Sequence, residues 1–540
     1  RIIACCKVIH QTTIQICPVK RNISRHIPLN SGTYCLRYSI FPSRLFTEEV
    51  PSILYLLVQE AKNGSKSKKG KILFTFIYSL NSGYKGTTDS EFKETFYQYL
   101  NLVRLFSLII LINIGTRLFF SFSLSNFAVM KTSTFAPFAK PLYVMVKPVG
   151  AVCNLACDYC YYLEKANLYK DNLKHVMSDE LLEKFIDEYI NSQTMPQVLF
   201  TWHGGETLMR PLSFYKKAME LQKKYARGRT IDNCIQTNGT MLTDEWCEFF
   251  RENNWLVGVS IDGPQEFHDE YRKNKMGKPS FVKVMQGINL LKKHGVEWNA
   301  MAVINDFNAD YPLDFYRFFK EIGCQYIQFA PIVERILSHE DGRHLASLAE
   351  NKAGTLADFS ITPEQWGNFL CALFDEWVKE DVGKYYVQIF DSTLANWMGE
   401  QPGICTMAKT CGHAGVMEFN GDLYACDHFV FPEYKLGNIA QTPLDEIYRT
   451  AKRREFGLNK RNTLPSECLR CKFYFACRGE CPKHRFDRGT DGSPKNSLCE
   501  GLKIYFRHVE PYMEYMRDLL SKQQAPAWVM PFARKRMGLE

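Results

Sequence analysis

Three cysteines fall on one short stretch, Cys153, Cys157 and Cys160, and eight more form a second series toward the C-terminus. Spaced thiolates in a large chain without an export signal favour metal ligation over a disulfide framework. A Cys-x3-Cys-x2-Cys triplet holds three irons of a 4Fe-4S cube and leaves the fourth iron without a protein ligand. That open iron implies a ligand from outside the protein. The second series runs Cys405, Cys411, Cys426, Cys468, Cys471, Cys477, Cys481 and Cys499. Eight thiolates complete two sets of four, for two further clusters or for zinc. Zinc has no redox function, whereas a reaction that must shed an electron has use for a redox centre. The isolated Cys234, Cys247, Cys324 and Cys371 read as small buried apolar residues.

The elements that must position these residues alternate in type. Apolar or β-branched runs at 143–146, 198–202, 234–237, 256–261, 299–304 and 326–330 read as strands. Helical patterns lie between them at 178–190, 213–226, 243–253, 280–294 and 312–322, with Ser178 and Thr243 as N-caps. Strand then helix, repeated, means a parallel sheet with crossover helices, either an open doubly wound sheet or a partial (β/α)6 barrel. The unusual residues follow strands directly, where parallel α/β folds place their sites. The triplet follows the first strand. His203-Gly204-Gly205-Glu206 follows the second, where the glycines allow close backbone approach and Glu206 can accept from an ammonium group. Ser260 ends the fourth strand and can donate to a carboxylate, which Arg272 can grip in fork geometry. Tyr159 offers an aromatic face of the kind that packs on adenine. Residues 337–360 read as a polar loop or mobile insertion, 363–379 as a helix capped by Thr362, and 502–520 as a helix covering the cysteine-rich region, before a frayed basic tail.

Charge sorts the chain into parts. Residues 1–129 carry 16 Lys and Arg against 6 Asp and Glu, so the overall excess of +9 lies wholly there. No nucleic-acid function follows from it. This stretch shows no sustained period, and a coherent pattern begins abruptly at Met130, which predicts that 1–129 is a non-native or disordered leader. Its apolar run at 102–124 contains Arg104 and Arg117, each costly in a bilayer core, so no membrane anchor is expected.

Together these motifs resemble the radical S-adenosylmethionine (SAM) enzymes. The spacing of the second series resembles the SPASM domain, and more narrowly the anaerobic sulfatase-maturating enzymes, over nearly all of 130–520. The resemblance implies a partial (β/α)6 radical SAM barrel at 130–335, a linker and helix at 336–385, a cysteine-rich SPASM domain at 386–520, and a tail at 521–540. It implies three 4Fe-4S clusters and SAM as cofactors. Cys153, Cys157 and Cys160 would hold the SAM cluster. Cys405, Cys411, Cys426 and Cys481 would hold one auxiliary cluster, and Cys468, Cys471, Cys477 and Cys499 the other. Tyr159, Gly205, Glu206, Ser260, Arg272 and Val333 match SAM-binding positions, although Thr207 stands where proline is usual.

In this family the aspartate at the position of Asp427 is the general base. Negative thiolates and restricted solvent are expected to raise its pKa. The implied reaction oxidises a Cys or Ser of an unfolded sulfatase precursor to Cα-formylglycine, with Tyr162 and His203 lining the substrate. A flavodoxin or ferredoxin would supply electrons, in the cytoplasm. Two other readings stay open: a SPASM maturase that crosslinks another peptide, and a non-catalytic iron-sulfur carrier or regulator, which would have no use for Glu206, Ser260 and Arg272.

Overall fold

The computed structural model describes residues 142–170, 175–339, 342–345 and 355–540. The expected leader and its apolar run lie outside the described residues. Six strands, β1 (Tyr143–Val146), β2 (Gln197–Trp202), β3 (Thr230–Thr237), β4 (Leu256–Ser260), β5 (Glu297–Ile304) and β6 (Tyr326–Pro331), pair in parallel in consecutive order. More than half of their residues are buried and few are exposed, because crossover helices cover the sheet. Those helices are α1 (Asp179–Asn191), α2 (Leu212–Tyr225), α3 (Asp244–Glu252), α4 (Gln265–Tyr271), α5 (Phe281–His294) and α6 (Pro312–Glu321). Ser178 caps α1 by accepting from Leu181 N, and Thr243 caps α3 by accepting from Trp246 N.

The polar stretch 337–360, expected as a loop or mobile insertion, carries strand among its described residues. β7 (Arg335–His339), β8 (Gly342–Leu345) and β9 (Thr355–Leu356) form a small antiparallel sheet in the order β8-β7-β9. Backbone pairing compensates there for weak apolar patterning. α7 (Pro363–Glu380) follows, opened by a full capping box between Thr362 and Gln365. After β10 (Tyr386–Val387) comes α8 (Gln388–Trp397).

The cysteine-rich region continues the same sheet. β11 (Ala414–Met417) pairs in parallel with β1, and β12 (Asp422–Tyr424) and β13 (Lys435–Asn438) add antiparallel strands. The full order, β10-β6-β5-β4-β3-β2-β1-β11-β12-β13, leaves both ends as edges, as an incomplete barrel requires. The long helix α9 (Cys499–Ser521) packs on α7, where Gly501 and Gly367 meet backbone to backbone. A Cβ on Gly501 would lie 1.9 Å from Pro363 O, so only glycine fits. The tail is not frayed: Val529–Arg536 is helical, held by buried Val529 and Ala533. Among the described residues no helix is long and apolar enough to cross a membrane.

Candidate active site

The turn after β1 carries Cys153, Cys157 and Cys160 on one loop. Two backbone bonds fix it, Ala156 N to Lys273 O at 2.8 Å and Asp158 N to Tyr271 O at 3.0 Å. Burial pushes the Cys153 thiol up to about 11 and Cys157 up to about 12; Cys160 raises both further, and Cys153 raises Cys157. Three thiolates packed this closely repel until a cation joins them, which is the condition an iron cube meets.

Glu206 is fully buried at the end of β2. One carboxylate oxygen accepts from Leu208 N at 2.9 Å and Thr237 Oγ1 at 2.7 Å; the other accepts from Asn238 N at 2.7 Å. Burial raises its pKa and these bonds oppose the rise, with no cation among them. A carboxylate offers about four lone-pair sites, so one stays available to an incoming ammonium. Gly205 lets this turn lie against the cluster loop: its N–H donates to Gly150 O, and a Cβ would lie 2.1 Å from Val152 O. Thr207 fits without proline, because its hydroxyl donates to Gln236 O at 2.6 Å.

Ser260 accepts from Gln236 Nε2 at 3.0 Å, which leaves its own hydroxyl proton free to donate. The Arg272 fork grips Asp262 (Nε to Oδ2 2.8 Å, Nη2 to Oδ1 3.0 Å), a partner that sequence reasoning did not name. Asp262 also accepts from Val303 N and from the Tyr159 hydroxyl. Tyr159 packs with Ile332, Phe359 and Tyr271, and Val333 is buried just past β6.

The second cysteine series divides in space. Cys468, Cys471, Cys477 and Cys499 line one cavity of about 190 Å³. Cys481 is instead the neighbour of Cys405, Cys411 and Cys426, each of which raises its pKa. Among the described residues no three His, Cys, Asp or Glu side chains converge on a point that would hold a single ion.

Asp427, directly after Cys426, lies between the two cysteine regions. Its Oδ1 pairs with the Lys147 ammonium and its Oδ2 accepts from the Tyr161 hydroxyl. Lys147 is 1% exposed and sits 3.0 Å from the Tyr162 ring centroid. Tyr162 in turn donates to Glu418, whose pKa burial pushes up to about 7. These groups meet because β1 pairs with β11 at Val146 and Met417, so Lys147 and Glu418 emerge side by side beyond the strand ends.

The expected rise in the pKa of Asp427 does not occur. Burial does push it up, but Lys147, with His203 and His428, outweighs burial and holds the carboxyl well below the usual range. Lys147 is the effective cation, because burial pushes His203 down to about 4 and His428 to about 3, leaving both neutral at neutral pH. Lys147, Tyr161 and Glu418 were not found from the sequence. The available signal was position: Lys147 follows the first strand, where the other site residues follow theirs.

Comparison with known proteins identifies the family. Residues 148–319 match the Radical SAM superfamily and residues 411–472 the iron-sulfur cluster-binding SPASM domain. The chain is 81% identical over 402 residues, 74% of its length, to a serine-type anaerobic sulfatase-maturating enzyme of Bacteroides thetaiotaomicron, covering 97% of that protein. It is 30% identical over 388 residues, 71% of its length, to a cysteine-type enzyme of Clostridium novyi, covering 100% of that protein. A solved structure described as native anSMEcpe with bound AdoMet superposes with a TM-score of 0.61 at 30% identity, covering 69% of this chain and 99% of that one. About seven tenths of the chain therefore matches in sequence and fold, and the protein belongs to the anaerobic sulfatase-maturating enzymes, radical SAM oxidoreductases with a SPASM domain.

Proposed function

We propose that the chain oxidises a serine side chain of an unfolded sulfatase precursor to Cα-formylglycine. The observation that carries this reading is Asp427, a buried carboxylate held ionised by Lys147 between the Cys153–Cys160 loop and the quartet that contains Cys426. The 81% identity to a serine-type relative favours serine over cysteine. A solved relative with bound AdoMet and the Cp18Cys peptide supports a peptide substrate.

In this reading Cys153, Cys157 and Cys160 hold the SAM cluster, Cys405, Cys411, Cys426 and Cys481 one auxiliary cluster, and Cys468, Cys471, Cys477 and Cys499 the other. The barrel occupies 130–335 and the SPASM domain 386–520. When bound, SAM supplies a 5'-deoxyadenosyl radical that removes a hydrogen atom from the substrate Cβ, and the auxiliary clusters supply an electron acceptor. Glu206 receives the SAM ammonium at its remaining lone pair. Ser260 donates toward the carboxylate, and Arg272, fixed by Asp262, sets the charge beside Cys157. Tyr159, with Val333, frames the adenine. Gly205 keeps the Glu206 turn against the cluster loop.

Asp427 accepts the proton of the serine hydroxyl. Loss of a hydrogen atom, a proton and an electron from the CH2OH group gives the aldehyde. A strong base is not required, because a hydroxyl on a carbon radical is far more acidic than the parent alcohol. What the step requires is a carboxylate that is ionised before substrate arrives, and Lys147 ensures that. Tyr162 and His203 interact electrostatically with Asp427, where they would face the substrate. The reductant is a flavodoxin or ferredoxin type of carrier, and oxygen-labile clusters suit the cytoplasm.

The test is mass spectrometry of sulfatase-motif peptides in Ser and Cys versions, incubated anaerobically with reconstituted enzyme, SAM and dithionite. The Ser peptide is expected to lose two mass units, and Asp427→Asn to lower that conversion about 10²–10⁴-fold while still cleaving SAM. SAM cleavage with neither peptide altered would remove the sulfatase reading.

A further inference from the structure

The tight turn that follows α4 combines exposed lysines with an exposed methionine. Lys273, Lys275 and Lys278 lie within six residues that contain no acid, although the chain outside 1–129 carries no basic excess. Met276 at its tip is 76% exposed, the highest value among the large apolar residues of the described chain. An isolated methionine ringed by lysines has the layout of a small docking site, an adaptable apolar contact inside a charged rim.

The turn is built rigidly. Asn274 Oδ1 accepts from Met276 N at 2.9 Å and from Lys278 N at 3.0 Å, and Asn274 N donates to Lys278 O at 2.9 Å. Its base is zipped to the loop that bears the first three cysteines. Leu155 bridges Asn274, Ala156 N donates to Lys273 O, and Asp158 N donates to Tyr271 O. Lys273 also pairs with Asp158, between Cys157 and Tyr159, at 3.4 Å. The lysine cluster is thus one layer of backbone from the triplet.

We propose that this turn is the docking surface for the acidic protein that delivers an electron to the cluster on Cys153, Cys157 and Cys160. The inference rests on the radical SAM reading above. Opposite charge speeds encounter and orients the partner, while a small exposed methionine supplies contact without holding the complex long, as a carrier that must leave requires. The delivered electron is the one that SAM cleavage consumes.

The experiment uses the full reconstituted enzyme and follows 5'-deoxyadenosine, driven either by dithionite or by a purified flavodoxin kept reduced by its NADPH-dependent reductase. With Lys275→Glu/Lys278→Glu, the flavodoxin concentration for half-maximal rate is expected to rise about tenfold or more and its dependence on ionic strength to flatten. The dithionite-driven rate stays at the starting value. Lys275→Arg/Lys278→Arg keeps the charge and is expected to behave as the parent. Unchanged flavodoxin dependence in the Glu pair overturns the proposal. So does a larger rise from Lys495→Glu/Lys503→Glu, which would place the donor at the Cys468 cavity, or failure of the Arg pair to match the parent. Because 5'-deoxyadenosine is read without a sulfatase peptide, these outcomes are separate from failure of the sulfatase reading.

Discussion

Two buried carboxylates, Glu206 and Asp427, meet opposite fates in the same protein. Glu206 is surrounded by neutral donors only, so burial dominates and its pKa rises. Asp427 is nearly as enclosed, its side chain 14% exposed, yet Lys147 holds its pKa down. In the proposed reading, a ligand would bring the first region its cation. The second carries its cation with it. A group that must bind an ammonium gains by being uncompensated beforehand, whereas a group that must accept a proton gains by being ionised beforehand.

Removing the built-in cation is the strongest way to break this contrast. Lys147→Met leaves Asp427 buried and unpaired, a change worth about 3–5 kcal/mol. In the parent the depressed pKa contributes stability above the ordinary carboxylate range that is lost only as pH falls through the depressed value. In the variant the sign reverses: the raised pKa makes the deficit largest at neutral pH and smaller on acidification. Thermal denaturation at pH 5 and pH 8 measures this. The acid limb of the peptide-conversion profile is expected to move to higher pH. An unmoved limb would show that Lys147 does not set the ionisation of Asp427.

Glu206→Gln sharpens the other half. The amide keeps an acceptor for Leu208 N and Thr237 Oγ1 but turns an NH2 toward Asn238 N, so stability falls by about 1 kcal/mol. Loss of the charge for the SAM ammonium weakens SAM binding about 10–100-fold, measured by calorimetry on the reconstituted enzyme. The order of the two stability losses tests the comparison directly. A Glu206 variant less stable than the Lys147 variant would mean that Glu206, too, has a compensating partner.

The sequence made the strand and helix alternation legible because each crossover helix of the barrel except α4 exposes one face and each strand is a short apolar run. It did not reveal α8, whose residues are mostly buried and so lack an amphipathic rhythm, or α4, which is only seven residues long. The motif residues were legible because chemistry fixes their spacing along the chain. Lys147 was not, since it meets Asp427 only through the parallel pairing of β1 with β11, strands separated by the whole barrel. A contact made by sheet register leaves no spacing to read, and the wrong direction assigned to the pKa of Asp427 follows from that one missing neighbour.

Thr207 supplies the smallest and most discriminating test, because it separates the Glu206 scaffold from the residue beside it. Thr207 opens a short 3-10 turn for which Glu206 is the N-cap, and Glu206 has φ −131° and ψ 112°, an extended conformation that a following proline accepts. Thr207→Pro loses the hydroxyl bond to Gln236 O, worth about 1 kcal/mol, and regains roughly 0.4–1 kcal/mol by restricting the unfolded chain. Stability is therefore expected to stay within about 1 kcal/mol of the parent, and SAM affinity to stay unchanged, because Leu208 N, Thr237 Oγ1 and Asn238 N still hold the carboxylate. A tenfold or greater fall in SAM affinity, about 1.4 kcal/mol, would mean that the Thr207 bond to β3 orients Glu206 and that Leu208 N, Thr237 Oγ1 and Asn238 N do not suffice to hold it.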